Sequence, residues 1–74
     1  MNKFELNRWY MGYTYRNVKE KKTVRVIKRT AEYIYYEVDN GVTGRCKVGT
    51  DYNGEYFMIT KENSLYVSAA NRFS

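Results

Sequence analysis

Apolar residues in this chain recur at every second position. In Tyr33–Val38, Ile34, Tyr36 and Val38 alternate with Tyr33, Tyr35 and Glu37. No window of eleven or more residues carries a helical period, so the pattern predicts strands almost throughout. The predicted strands are Trp9–Tyr15, Thr23–Arg29, Tyr33–Val38, Val42–Val48, Glu55–Thr60 and Leu65–Ala69. A basic link, Arg16 to Lys22, joins the first two. Turn chemistry fills the other gaps, at Asp39-Asn40-Gly41, Gly49 to Gly54 and Lys61-Glu62-Asn63-Ser64. No linker, repeat or composition shift marks a second domain. The expectation is therefore one all-β domain over residues 1–74. It is a small antiparallel meander of five to six short strands, curling into an SH3-like or OB-like barrel.

The hydrophobic pattern also predicts register, because a one-residue slip turns every side chain to the other face. Asn40-Gly41 as a two-residue turn would pair Tyr36 with Arg45 and set a cation among core positions. A three-residue loop, Asp39-Asn40-Gly41 with Gly41 left-handed, pairs Val38 with Val42, Tyr36 with Gly44 and Ile34 with Cys46. The second register is preferred. The same test on the preceding hairpin selects Thr30-Ala31-Glu32 as its loop, with Val24 facing Val38, Val26 facing Tyr36 and Lys28 near Ile34. Three rows then cross the opposite face: Arg25–Glu37–Thr43, Ile27–Tyr35–Arg45 and Arg29–Tyr33–Lys47.

Composition narrows the chemistry. The 74 residues include thirteen Lys and Arg, eight Asp and Glu, no His, no Pro and one Cys, for a formal charge of +5. Without His there is no His-based catalysis, and no Cys/His zinc site or disulfide framework fits the single thiol. No run approaches the roughly 20 apolar residues of a membrane span. Met1–Glu5 lacks the apolar stretch of a secretory signal, and a lone Cys suits a reducing cytoplasm. Only twelve residues are Ile, Leu or Val, against thirteen Phe, Trp or Tyr, so rings must fill much of the core. A chain this short buries about 60% of its unfolded surface, so a monomer or a weak homodimer is expected.

The charge is uneven. Arg16 to Arg29 holds seven cations and one anion, leaving the remainder of the chain at −1. Register adds a face on which Arg25, Arg29, Arg45 and Lys47 surround Tyr33, Tyr35 and Ile27. Cations that track phosphates beside rings that stack on bases are the equipment of single-stranded nucleic-acid binding. Four neutralised phosphates would give a log–log salt slope of roughly −3 on a single strand. Two other readings use the same residues: a solvated β face, or a protein module docking on an acidic partner, since Tyr and Arg dominate such hot spots. Lys19-Glu20-Lys21-Lys22 reads as a solvated basic loop that blunts a sheet edge.

The remaining candidates carry less chemistry. Cys46 lies on the inner face opposite Ile34 and reads as a small hydrophobe, with no base to make it a nucleophile. If Gly54 were the sixth residue of a calcium loop, Gly49 and Thr60 would hold its end positions, and neither is a carboxylate. Asp51, Asn53 and Gly54 therefore read as a hairpin turn. No carboxylate pair or phosphate-cradling glycine motif is present, so the expected function is binding without turnover or cofactor. One side of Trp9–Tyr15 should close the barrel, with Tyr10 or Tyr13 on the other side available for stacking.

Several short segments spread over the chain resemble a group of small proteins encoded on phages, plasmids and conjugative elements of Gram-positive gut bacteria. They are Phe4-Glu5-Leu6 with Tyr10, Val26 with Lys28-Arg29-Thr30-Ala31, Arg45 with Lys47-Val48, Gly54-Glu55-Tyr56, and Tyr66-Val67-Ser68-Ala69. Asn7 stands where that group carries glycine, and a later proline of the group is absent. The resemblance implies a small all-β protein of a mobile genetic element and brings no established activity or site residues.

Overall fold

The computed structural model describes residues 1–14 and 20–73. Tyr15 and the first four residues of the predicted basic link, Arg16 to Lys19, lie outside the described residues. Among the described residues seven strands form one sheet: β1 (Trp9–Thr14), β2 (Lys21–Arg29), β3 (Tyr33–Val38), β4 (Thr43–Lys47), β5 (Gly49–Asp51), β6 (Gly54–Ile59) and β7 (Leu65–Arg72). All pairings between these strands are antiparallel, in the order β4-β3-β2-β1-β7-β6-β5. β7 returns to β1, and the two outermost strands, β4 and β5, are successive in the chain on either side of Val48. The sheet is therefore a nearly closed barrel of the predicted all-β kind. The strand count exceeds the expected five to six because Gly49–Asp51, read as turn, pairs with Gly54–Tyr56. Lys21 and Lys22, read as loop, belong to β2, and Lys22 Nζ meets Glu62 Oε1 at 3.0 Å.

The core is one cluster of Phe4, Tyr10, Val24, Val26, Ile34, Tyr36, Val38, Phe57, Ile59, Leu65, Val67 and Ala69. Alternation delivers most of it, as predicted for β2 and β3. On β1 the side that closes the barrel is the one with Tyr10, Gly12 and Thr14, while Trp9, Met11 and Tyr13 face out. The cause is β7. A Cβ at Gly12 would sit 3.0 Å from the side chains of Leu65 and Val67, so the smallest residue marks the closest approach of the two strands.

The β3–β4 hairpin has the predicted three-residue loop. Val38 N donates to Val42 O at 2.7 Å, Gly41 is left-handed at φ 91°, and Ile34 pairs with Cys46. The β2–β3 hairpin follows prediction only at its open end. Val24 pairs with Val38 and Val26 with Tyr36, but beyond a β-bulge at Ile27, Lys28 pairs with Tyr35 and Arg29 with Ile34. The bulge arises because the turn is tighter than expected: Thr30 N donates to Tyr33 O at 2.9 Å, and Thr30 Oγ1 accepts from Tyr33 N at 3.1 Å. One extra residue in β2 reconciles this turn with the core register.

The bulge sends Arg29 inward, correcting its expected place beside Tyr33. Its Nη1 and Nη2 reach the two carboxylate oxygens of Glu55 at 2.8 and 3.0 Å, and Nη1 also donates to Phe4 O at 3.1 Å. Phe4 N donates back to Glu55 Oε1 at 2.9 Å. The pair thereby ties down the N-terminal segment, whose Phe4 ring packs on Tyr10 and Phe57 with centroids 4.8 and 4.9 Å away. Asn7 continues the segment with φ 62°, a conformation glycine adopts readily, and its N–H donates to Val26 O.

Arg29, and then the Phe4 N–H, hold the Glu55 carboxyl below the ordinary carboxylate range against the opposing effect of burial. A depressed folded value means that the stabilisation is complete above the unfolded value near pH 4.3 and is lost as pH falls through the folded one. Removing one partner of such a pair costs about 3 kcal/mol, the low end for buried pairs, because Arg29 keeps 26% of its side chain in water. Urea unfolding of Glu55→Gln, followed through Trp9 fluorescence, should show that loss at pH 7 and a narrower gap to wild type at pH 3. An equal gap at both pH values would refute the assignment.

Candidate nucleic-acid interface

The outward faces of β2, β3 and β4 carry the predicted basic-aromatic surface with one exchange. The first row is as expected, with Arg25 paired to Glu37 and Glu37 to Thr43, and Trp9 of β1 extends it. Arg25 Nη2 lies 2.7 Å from Glu37 Oε1, and its guanidinium sits 5.7 Å from the Trp9 ring centroid. Arg25 is thus neutralised and pinned, with its Nε buried without a hydrogen-bond partner.

The second and third rows are where the bulge acts. It places the consecutive residues Ile27 and Lys28 at Tyr35, so Lys28, expected inward near Ile34, joins the outer face while Arg29 leaves it. Lys28 Nζ stands 5.3 Å from the Tyr35 ring centroid. Arg45, directly opposite Tyr35, lays its guanidinium 4.7 Å from the Tyr33 centroid. Lys47 pairs with Tyr33. The Tyr35 and Tyr33 phenols favour the charged form of Arg45. Lys28, Arg45 and Lys47 are exposed, and none is ion-paired to a carboxylate among the described residues. Beside them, Ile27, Tyr35, Thr43, Gly44 and Arg45 enclose a shallow hollow of about 300 Å³.

Of the six residues expected at the site, the structure brings Tyr33, Tyr35, Arg45 and Lys47 together on one surface. It leaves Arg25 at its edge in an ion pair and moves Arg29 to the barrel end. Lys28 escaped the sequence reading because its position depends on the bulge. The hydroxyl of Thr30 was the available signal, since Thr at the start of a turn favours the tight form that forces the extra residue.

Behind this face, Cys46 Sγ donates to Met58 O at 3.2 Å across the seam between β4 and β6. Burial pushes its thiol pKa up, outweighing the nearby Lys61 ammonium. Burial, then the neighbouring Cys46, pushes the Tyr36 phenol up to about 12. Of Tyr10 and Tyr13, the alternatives for a further stacking ring, Tyr10 is buried, and its hydroxyl accepts from Glu5 N at 2.8 Å. Tyr13 does face out, against Tyr66 at 6.0 Å between centroids. Among the described residues no group of three or more Cys, Asp or Glu is placed to hold a metal ion, and no helix is long and apolar enough to cross a membrane.

The environment of Cys46 has a direct consequence. With its thiolate disfavoured, Cys46 should react with a disulfide reagent at pH 8 at least about tenfold more slowly in the folded protein than in urea; equal rates would mean that the seam is open. Compared with known proteins, the chain matches no family model, no curated protein and no solved structure.

Proposed function

We propose that this protein binds nucleic acid, single strands in preference to duplex, through Lys28, Tyr33, Tyr35, Arg45 and Lys47. The observation that supports this most is the pairing of exposed cations with ring faces, Lys28 on Tyr35 and Arg45 on Tyr33, with no carboxylate ion-paired to them among the described residues. Lys28 and Lys47 engage phosphates. Arg45 contributes its charge and a guanidinium plane on which a base stacks together with the tyrosines beneath. The cation–ring contacts favour one arrangement of each pair, so less side-chain freedom is lost on binding. The proposed activity is binding without turnover. Its proposed setting is the cytoplasm of a bacterium carrying a mobile element, which the lone thiol and the resemblance of the segments named above support.

Fluorescence anisotropy with single- and double-stranded oligonucleotides at two salt concentrations tests the proposal. With Arg29 inward and Arg25 neutralised, three cations remain, so the log–log salt slope on a single strand should be roughly −2. Lys28→Ala should flatten that slope by about 0.7, and Tyr35→Ala should cost about 1–3 kcal/mol of binding. No salt-sensitive binding tighter than about 100 µM would overturn the proposal. So would a co-purifying partner protein that withstands nuclease and is lost in both Tyr33→Ala and Tyr35→Ala.

A further inference from the structure

A second outer surface of the barrel gathers tyrosines around a carboxylate. Between β1, β7 and the β5–β6 turn lies a hollow of about 380 Å³, bordered by Tyr13, Tyr52 and Tyr66 together with Asp51, Asn53 and Asn71. Asp51 Oδ2 accepts from the Tyr66 hydroxyl at 2.9 Å, and Oδ1 accepts from Asn53 N at 2.8 Å. The Tyr66 ring is held from two sides, stacked on Tyr56 at 5.6 Å and tilted against Tyr13 at 6.0 Å. Tyr52, at the tip of the turn, is 97% exposed, so its ring can fold over an occupant.

Asp51 is half-buried in a chain of charge +5, yet no cation lies within 4.0 Å of it among the described residues. Glu5, Glu37, Glu55 and Glu62 all have one. A carboxylate among three tyrosines is a place where fixed negative charge and the negative faces of the rings attract the same kind of ligand. A bare metal ion asks for several oxygen ligands, and Asp51 is the single carboxylate on the border. An alkylated ammonium group is large, weakly hydrated and cationic, which suits rings more than water.

We propose that this hollow binds an organic cation, namely a quaternary or otherwise alkylated ammonium group. Asp51 supplies the countercharge, Tyr13 and Tyr66 the fixed walls, and Tyr52 a ring that closes on the occupant. The site shares no residue with the cationic face, so it stands independently of the nucleic-acid reading.

Choline and its neutral carbon isostere, 3,3-dimethyl-1-butanol, provide the test, titrated into isotopically labelled protein and followed by amide NMR. Choline should shift the amides of residues 51–53 and 66–71 in a saturable manner with a Kd of about 1–10 mM, and the isostere should bind at least about tenfold more weakly. Asp51→Asn and Tyr52→Ala, which remove no core contact, should each weaken choline several-fold with the folded amide spectrum retained, whereas Lys28→Ala should leave choline binding unaffected. A trimethyllysine peptide run alongside separates the sources. Tighter binding than choline assigns the cation to a modified protein side chain, and weaker binding assigns it to a small molecule. Equal affinity for choline and its isostere, shifts centred on other residues, or no saturation by about 100 mM would overturn the proposal.

Discussion

The pairing of β2 with β3 must satisfy two demands that differ by one residue. The core requires Val24 and Val26 opposite Val38 and Tyr36, while the turn closes with Thr30 opposite Tyr33. A regular ladder cannot meet both, and the bulge at Ile27 does. Its consequences reach both ends of the molecule. Outside the barrel it presents Lys28 to Tyr35. At the barrel end it delivers Arg29 to Glu55, and that pair fastens Phe4 over the core. Anchor and surface thus depend on the same inserted residue.

A second constraint is closure. Sheet edges invite pairing with other chains, and this fold limits that exposure by bending one segment of chain at Val48. Thr43–Lys47 pairs with β3 and Gly49–Asp51 with β6, so the two ends of the sheet are successive stretches of backbone. The remaining seam is bridged by side chains: Cys46 to Met58 O, and Lys61 Nζ to Thr43 O at 3.0 Å. Lys61 also stands 6.0 Å from the Tyr36 centroid, and the Tyr36 ring stacks on Phe57 at 5.9 Å. The aromatic excess of the composition is thereby divided. Tyr10, Tyr36, Phe4 and Phe57 fill the interior, Tyr33 and Tyr35 lie among cations on one outer surface, and Tyr13, Tyr52 and Tyr66 border a hollow with Asp51 on another.

Much of this was legible in the alternation. The β3–β4 register follows from setting Ile34, Tyr36 and Val38 against Cys46, Gly44 and Val42, because a one-residue slip buries Arg45. The first outer row, Arg25–Glu37–Thr43, follows from the same reasoning. Legibility ended where two local preferences competed. The Thr30 turn and the Val24–Val26 core pattern each fit a regular strand, and nothing local states that both are met by an extra residue. Hence Arg29 was expected on the outer face and Lys28 on the inner one, and the structure exchanges them. On β1, alternation left the inward side open, since the partner that requires Gly12 lies more than fifty residues away on β7.

The sequence by itself determined an all-β meander, a ring-filled core, a basic surface and the register of its most regular hairpin. These follow from period-two alternation and from net composition, which act through near neighbours. Tertiary structure decided which cation faces which ring, that Glu55 is occupied by Arg29, and that Asp51 shares a hollow with Tyr13 and Tyr66. Each of these joins residues from strands far apart in the chain. Their meeting depends on the bulge and on closure of β7 against β1, which single-strand periodicity does not encode.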